Sequence, residues 1–296
     1  MGRFENAEIF RDTEVMCRTN PRLCAAIAES CAKQRLIREG DAIGRALVPP
    51  STAVGGGTPT LPARVLVSSR RTFEAASQYA RTMKTCVHNF ASASNPGGGV
   101  VNGSSAQEEA LCRCSTLYFN LNIREMWNGF YAPHRAAHDQ LHNDDIIYTP
   151  NVVVFKSDTA YPKTMPERDW YNVNVITCAA PNLREPTGRL GIAPYQHHGR
   201  AVCPKPLISP DRLQSLHERR LRRILDVASA DGNEAIILGA FGCGAFRNDP
   251  KVVAQAAANV LPDYLKYFKV IEFAVFCRPG DTANYDAFKM MMRDFT

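Results

Sequence analysis

The apolar positions of the chain change their period near residue 60. Between 5 and 40, Ile9, Val15, Met16, Leu23, Ile27 and Leu36 recur at helical spacing. They predict helix throughout, broken at Asn20-Pro21 because proline has no N–H to donate. Pro49-Pro50 and Gly55-Gly56-Gly57 mark a linker over 48–62. Beyond it, short apolar strands alternate with amphipathic helices. Strands are expected over 64–67, 86–91, 146–155 (with Pro150 as a break), 171–178, 234–238 and 270–276. Helices are expected over 72–83, 106–119, 210–230 and 250–265, and a long polar insertion over 182–206. Strand-helix alternation predicts an α/β fold, a three-layer sandwich on a mixed, largely parallel sheet. The division implied is an N-terminal helical extension over 1–60 and one α/β domain over 61–296. There is no internal repeat.

Composition narrows the class without choosing a function. The 296 residues are 45% hydrophobic and 22% charged, which suits one sizeable core. No apolar run approaches the roughly 18 residues of a membrane helix. The polar start lacks a signal-peptide core, and Asn6 stands where a myristoylation signal needs Ser or Thr. The expectation is therefore an intracellular protein, cytoplasmic or nuclear, and a monomer. Its ten cysteines are then expected to be reduced. A net charge of +6 suits a polyanionic partner without naming one.

Two glycine-rich loops carry the chemistry. The first runs from Asn95 through Gly97-Gly98-Gly99-Val100 to Gln107-Glu108-Glu109, between a strand and a helix. Without Cβ atoms its backbone can approach a ligand closely. Ser104 with Gln107, or Ser105 with Glu108, fits a capping box, so all three acidic or amide side chains fall in the first helical turn. Adjacent glutamates lie about 100° apart around a helix, so they cannot share one task. The bland alternative is dipole-favoured acids after a flexible linker. The second loop is Gly239-Ala240-Phe241-Gly242-Cys243-Gly244-Ala245-Phe246, and it reads as either a phosphate cradle before a helix or a tight turn. It is neither a Walker A loop nor a dinucleotide fingerprint.

Other signals read as structural. Cys17, Cys24 and Cys31, seven apart, read as core packing, because no histidine accompanies them. His134, His138 and His142 echo a zinc-helix spacing, but Asp139 stands where the motif needs Glu. Arg219-Arg220-Leu221-Arg222-Arg223 reads as a solvated helix face rather than an import or polyanion signal. Cys112 and Cys114 read as packing, and Cys243 as a loop residue rather than a nucleophile.

The order and spacing Gly97-Gly98-Gly99, then Gln107-Glu108-Glu109, resemble the signature of poly(ADP-ribose) glycohydrolases. The wider run, His88 to Pro96 and Leu111 to Tyr118, resembles their bacterial and fungal branch. The resemblance spans roughly 64–278 and implies a macrodomain-like fold. It implies Glu109 as catalytic acid/base, with Glu108 and Asn95 on the distal ribose. It adds Gly97, Gly98, Gly99, Val100 and Gln107 from the first loop. From the second it adds Gly239 and Phe241 as ligand-binding residues and Gly242, Cys243, Gly244 and Ala245 for the diphosphate, with Phe246 pressing the ribose towards Glu109. Phe276 is the adenine-stacking candidate, or else a core phenylalanine. The insertion over 183–206, with Tyr195, His197 and His198, departs from the family pattern.

The implied reaction is hydrolysis of the ribose–ribose O-glycosidic bond through an oxocarbenium-like state. Glu109 would protonate the leaving hydroxyl and then take a proton from water. A helix N-terminus favours an ionised Glu109, whereas a ligand diphosphate disfavours it. No metal or cofactor is expected. The expected substrate is poly(ADP-ribose) or ADP-ribosylated protein and the product ADP-ribose, attacked from chain ends if residues 1–60 cap the distal ribose. Membrane and direct DNA contacts are not expected. The alternatives are a non-catalytic ADP-ribose reader, which needs no acid/base, and a hydrolase of mono-ADP-ribose conjugates.

Overall fold

The computed structural model describes residues 2–44, 62–184 and 208–296. The expected linker up to 61 and the insertion from 185, including Tyr195, His197 and His198, lie outside these residues. Helices α1 (Arg3–Thr19) and α2 (Pro21–Lys33) lead into strand β1 (Arg35–Ile37). Then follow β2 (Arg64–Ser68), α3 (Thr72–Ala76), β3 (Thr85–Ala91), α4 (Gln107–Cys114) and α5 (Leu117–Leu121). A short α6 (Arg124–Met126) passes through a π-helical turn (Trp127–Tyr131) into α7 (Ala132–Ala137). The chain continues through β4 (Ile146–Val154), β5 (Tyr171–Ala179), α8 (Pro210–Ala230), β6 (Ala235–Leu238), α9 (Pro250–Val260), β7 (Val270–Ala274) and α10 (Ala283–Met291).

The strands form one seven-stranded sheet in the order β1-β4-β5-β3-β6-β7-β2. The run from β5 to β2 is parallel, and β4 and β1 add antiparallel at one edge. Alternate residues of each strand feed opposite cores. Cys86, Ile176, Ile236 and Ile271 join Ile224, Leu225, Ala254 and Phe288 on one face. Val87, Val175, Ile237 and Val270 join Phe10, Phe73, Leu111 and Leu117 on the other. Both faces of the sheet are thus covered, which is the expected mixed three-layer α/β/α sandwich.

Tertiary contacts moved several expected boundaries. Residues 35–37 are strand, not helix: α2 ends at Lys33, and Arg35, Leu36 and Ile37 pair with Tyr148, Ile147 and Ile146. An available sheet edge outweighs helical spacing in so short a segment. The helix expected over 72–83 stops at Ala76, and that over 250–265 stops at Val260. The helix expected over 106–119 breaks at Ser115, whose backbone bridges Val154 and whose Oγ accepts the Leu117 N–H at 3.2 Å. Pro150 does not interrupt β4. The strand passes it through a register shift between Thr149 and Val152, with Asn151 at φ 55°. Strand β7 ends before Phe276.

The N-terminal helix is fastened to the core by specific groups. Phe10 is buried and meets Tyr118 edge-on at 4.9 Å, a burial worth roughly 1.5–3 kcal/mol. Thr13 Oγ1 donates to Arg113 O at 2.6 Å, and the buried Lys156 Nζ donates to Ile9 O at 2.9 Å. These contacts seat α1 over the loop ahead of α4, where Asn6 Nδ2 donates to Gly103 O at 3.1 Å.

Candidate active site

Because β3 and β6 are parallel neighbours, the loops that leave their carboxyl ends emerge side by side. The ends of β5, β7 and β2 open on the same side. They meet over a cavity of about 950 Å³.

In the first loop, both glutamates turn inward. Glu108 and Glu109 are 3% and 7% exposed, which is rare for unpaired acids and marks them as costly to bury. Gly98 makes room for both. It sits at φ 59°, and a Cβ there would lie 2.5 Å from Glu109 Oε1 and 3.1 Å from Glu108 Oε2. Glu109 Oε1 accepts the Gly99 N–H at 2.9 Å, while its Oε2 is buried with no partner among the described residues. Glu108 accepts from Ser92 N at 2.7 Å and from Asn89 Nδ2 at 3.3 Å. Burial nevertheless raises the Glu108 carboxyl from 4.5 to about 8, opposed by the Ser92 N–H and assisted by the charge of Glu109.

Neither serine caps α4. The N-cap is Ala106, without a side-chain bond, and the capping boxes expected from Ser104 and Ser105 do not form. Gln107 ties the helix to β3 and α3 instead: its Oε1 accepts Phe90 N–H at 2.9 Å, and its Nε2 donates to His88 O and Thr72 Oγ1.

The second loop is held from behind. Asn248 is buried, and its Nδ2 donates to Pro181 O at 2.7 Å and Gly242 O at 3.1 Å. His217 Nε2 lies 2.9 Å from Asn248 Oδ1, so it donates to that oxygen. Burial lowers the His217 imidazole to about 4, which keeps it neutral. Gly242 has φ 78°, and a Cβ there would meet Asn248 Nδ2 at 2.7 Å and Ala180 Cβ at 2.8 Å. Contrary to the sequence expectation, the loop does not open a helix directly. Helix α9 begins at Pro250, and its cap, Asp249, accepts from Lys251 N. Any anion held here is held by loop amides rather than by a helix end.

Of the expected residues, Asn95, Gly98, Gly99, Gln107, Glu108, Glu109, Gly242, Gly244, Ala245, Phe246 and Phe276 line the cavity. Gly97, Val100, Gly239, Phe241 and Cys243 do not. Val100 is fully buried in the core, and a Cβ at Gly97 would press on Tyr118. A Cβ at Gly239 would lie 2.7 Å from Ala274 O. Phe241 packs behind the loop, tilted against His88 and edge-on to His217. Burial pushes the Cys243 thiol up, the wrong direction for a nucleophile. Phe276 is 44% exposed and therefore no core phenylalanine; the Arg71 guanidinium lies 3.9 Å from its ring centroid.

The structure adds Arg3, Asn6, Arg71, Asp158 and Arg184 to the lining. Arg71 was within reach of sequence reasoning, since it follows a parallel strand's carboxyl end. Arg3 and Asn6 were not, because only packing brings α1 to the rim. Two side signals change meaning. Helix α7 ends at Ala137 and His138 is left-handed at φ 50°, so the histidine spacing is not on a helix; His142 lines the cavity instead. The arginine cluster is only partly a solvated face: Arg219 is exposed, and Arg222 and Arg223 are half-buried. Arg220 is fully buried and binds Asp144 Oδ1, Ala179 O, Leu141 O and His142 O, and Arg219 also pairs with Asp144. The cysteines at 17, 24 and 31 are buried, exposed and intermediate, respectively. No described helix is long and apolar enough to cross a membrane.

Comparison with known proteins places this geometry. Residues 9–157 match the family model for the microbial-type PARG catalytic domain. Poly(ADP-ribose) glycohydrolase (PARG) from Thermomonospora curvata is 29% identical, with a TM-score of 0.76 over 97% of this chain and 98% of that one. The same enzyme bound to the inhibitor ADP-HPD gives 0.75 at 29% identity over 96% and 98%. PARG from Deinococcus radiodurans in complex with ADP-ribose is 30% identical, with a TM-score of 0.71 over 91% and 98%. No curated protein sequence matches the chain. With its glycine-spaced glutamate pair on a macrodomain-like sheet, the chain belongs to the microbial-type poly(ADP-ribose) glycohydrolase family.

Proposed function

We propose that this protein hydrolyses ribose–ribose O-glycosidic bonds of poly(ADP-ribose), with Glu109 as acid/base and Glu108 orienting the distal ribose. The observation that carries this reading is the pair of buried carboxylates converging on Gly98 in the cavity wall. Such a pair is expensive to bury and gives a pure binding module nothing in return. Burial raises the Glu108 carboxyl to about 8, which favours its neutral, hydrogen-bonding form beside a ribose. Glu109, with one oxygen fixed by Gly99 N–H and the other without a partner among the described residues, is the member whose free oxygen can meet a leaving hydroxyl.

The diphosphate is read against Gly242, Gly244 and Ala245, the distal ribose against Phe246 and Asn95, and the adenine against Phe276. Helices α1 and α2 of the N-terminal extension act as a cap on the catalytic domain, with Arg3 and Asn6 beside Gly103 in the cavity wall. A cavity closed on that side favours attack on chain termini and release of free ADP-ribose. The protein acts as a monomer on polymer or ADP-ribosylated protein inside the cell.

The test is release of ADP-ribose from purified poly(ADP-ribose) by wild type and Glu109→Gln, with an ADP-ribose titration of both. Release by wild type, and binding without release by the variant, supports the reading. Binding by both without release would leave a reader or an enzyme for another ADP-ribose conjugate.

A further inference from the structure

One side chain outside the cavity lining reaches into it through another residue. Arg135, on α7, donates from Nε to Ser94 O at 2.7 Å and from Nη2 to Asn95 Oδ1 at 2.5 Å. Its guanidinium carbon lies 4.8 Å from the centroid of the Trp127 ring, at the start of the π-helical turn. Arg135 and Trp127 do not line the cavity, whereas Ser94 and Asn95 do.

The chemistry of these groups fixes an orientation. A guanidinium has five donors and no acceptor, so the group it meets must be an oxygen. The Asn95 side chain therefore turns its Oδ1 to Arg135 and leaves its NH₂ for other partners. Among the described residues that nitrogen has only a long contact, 3.4 Å to Ser94 Oγ. Stacking on Trp127 holds the fork in place, and the planar fork loses little freedom per bond made.

The geometry points to Arg135 as a positioning residue that presents Asn95 to the substrate as a hydrogen-bond donor. Asn95 then gives an N–H to a hydroxyl or ring oxygen of the ribose held beside Glu109, and does not accept from it. This inference rests on the glycohydrolase reading of the cavity. It adds the polarity of the contact and the residue that sets it.

The test is a double-mutant cycle on ADP-ribose Kd and on kcat and KM for polymer, using Asn95→Ala, Arg135→Ala and the double variant. Each single change is expected to weaken binding about tenfold, as loss of a charge-linked hydrogen bond does, and the double change by no more than that. The loss should fall on KM more than on kcat, and Arg135→Lys, a point charge without the fork, should recover only part of it. Asn95→Asp supplies a second arm that does not depend on Arg135→Ala folding. It keeps the pairing with Arg135 and the melting temperature but loses the donor, so ADP-ribose binding should still fall about tenfold. Wild-type binding by Asn95→Asp, or single losses that multiply in the double variant, would overturn the inference while leaving the function intact. A wild type that neither binds nor releases ADP-ribose would remove both.

Discussion

After β3 the chain wraps its glycines around its own carboxylates; after β6 it wraps them around a neutral amide. In the first loop the amides of Gly99 and Ser92 are spent on Glu109 and Glu108. In the second, Asn248 takes the carbonyls of Gly242 and Pro181. Among the described residues no acceptor takes the amides of Gly244, Ala245 or Phe246. Binding carbonyls from behind leaves N–H groups as the loop's free polarity, which suits an anion. Binding amides from within leaves carboxyl oxygens as the free polarity, which suits proton transfer rather than an anion. Two glycine-rich loops of similar composition thus present opposite free polarity, and the difference lies in what each buries.

The sharpest way to break this comparison is to remove the acid. Glu109→Gln should lower kcat by about 10³-fold, within the usual range for a lost general acid/base, and leave ADP-ribose affinity near wild type. Retained turnover would move the chemistry elsewhere. Next come the glycines. Gly98→Ala and Gly242→Ala each force a side chain into left-handed backbone, at a cost of about 1–2 kcal/mol in stability. They should nevertheless part in kinetics: the former displaces carboxylates and should lower kcat, the latter displaces the loop and should raise KM. The same split in both variants would show that the loops do not divide the work.

The burial cost of the first loop has its own pH signature. Folding raises the Glu108 carboxyl from 4.5 to about 8, so the folded state keeps a proton that the unfolded chain releases. This contribution to stability is complete below pH 4.5 and is lost as pH rises towards 8. Melting temperatures of Glu108→Gln should gain on wild type across that window and level off above it. A constant difference would mean that Glu108 is already ionised when buried. The smallest effect expected is at the far end of the cavity. Phe276→Ala should weaken ADP-ribose binding about tenfold, as loss of one base-stacking ring does, with kcat little changed.

The legibility of the chain followed how local each feature was. Helix α8 was readable to its ends, because Pro210 and a Ser209 cap stand at one end and a long amphipathic pattern follows. The sheet's parallel core was readable, because β3, β5, β6 and β7 are bounded by turn residues and almost wholly buried. The place of Glu109 in the cavity wall was readable through the Gly97–Glu109 spacing. By contrast, β1 looked helical, the arginines of α8 looked solvated, and five expected loop residues face the core rather than the cavity. In each case the deciding partner is far away in sequence, as Asp144 is from Arg220 and Tyr148 from Arg35.

By itself, then, the sequence determined the layered α/β architecture, the two loops and the glutamate pair, because these depend on period, spacing and residue type within short windows. The tertiary structure decided which loop residues reach the cavity, which amide each carboxylate takes, and that Arg3 and Asn6 line it. Those choices depend on which surfaces meet when parallel strands place distant loops side by side, and no local pattern encodes such a meeting.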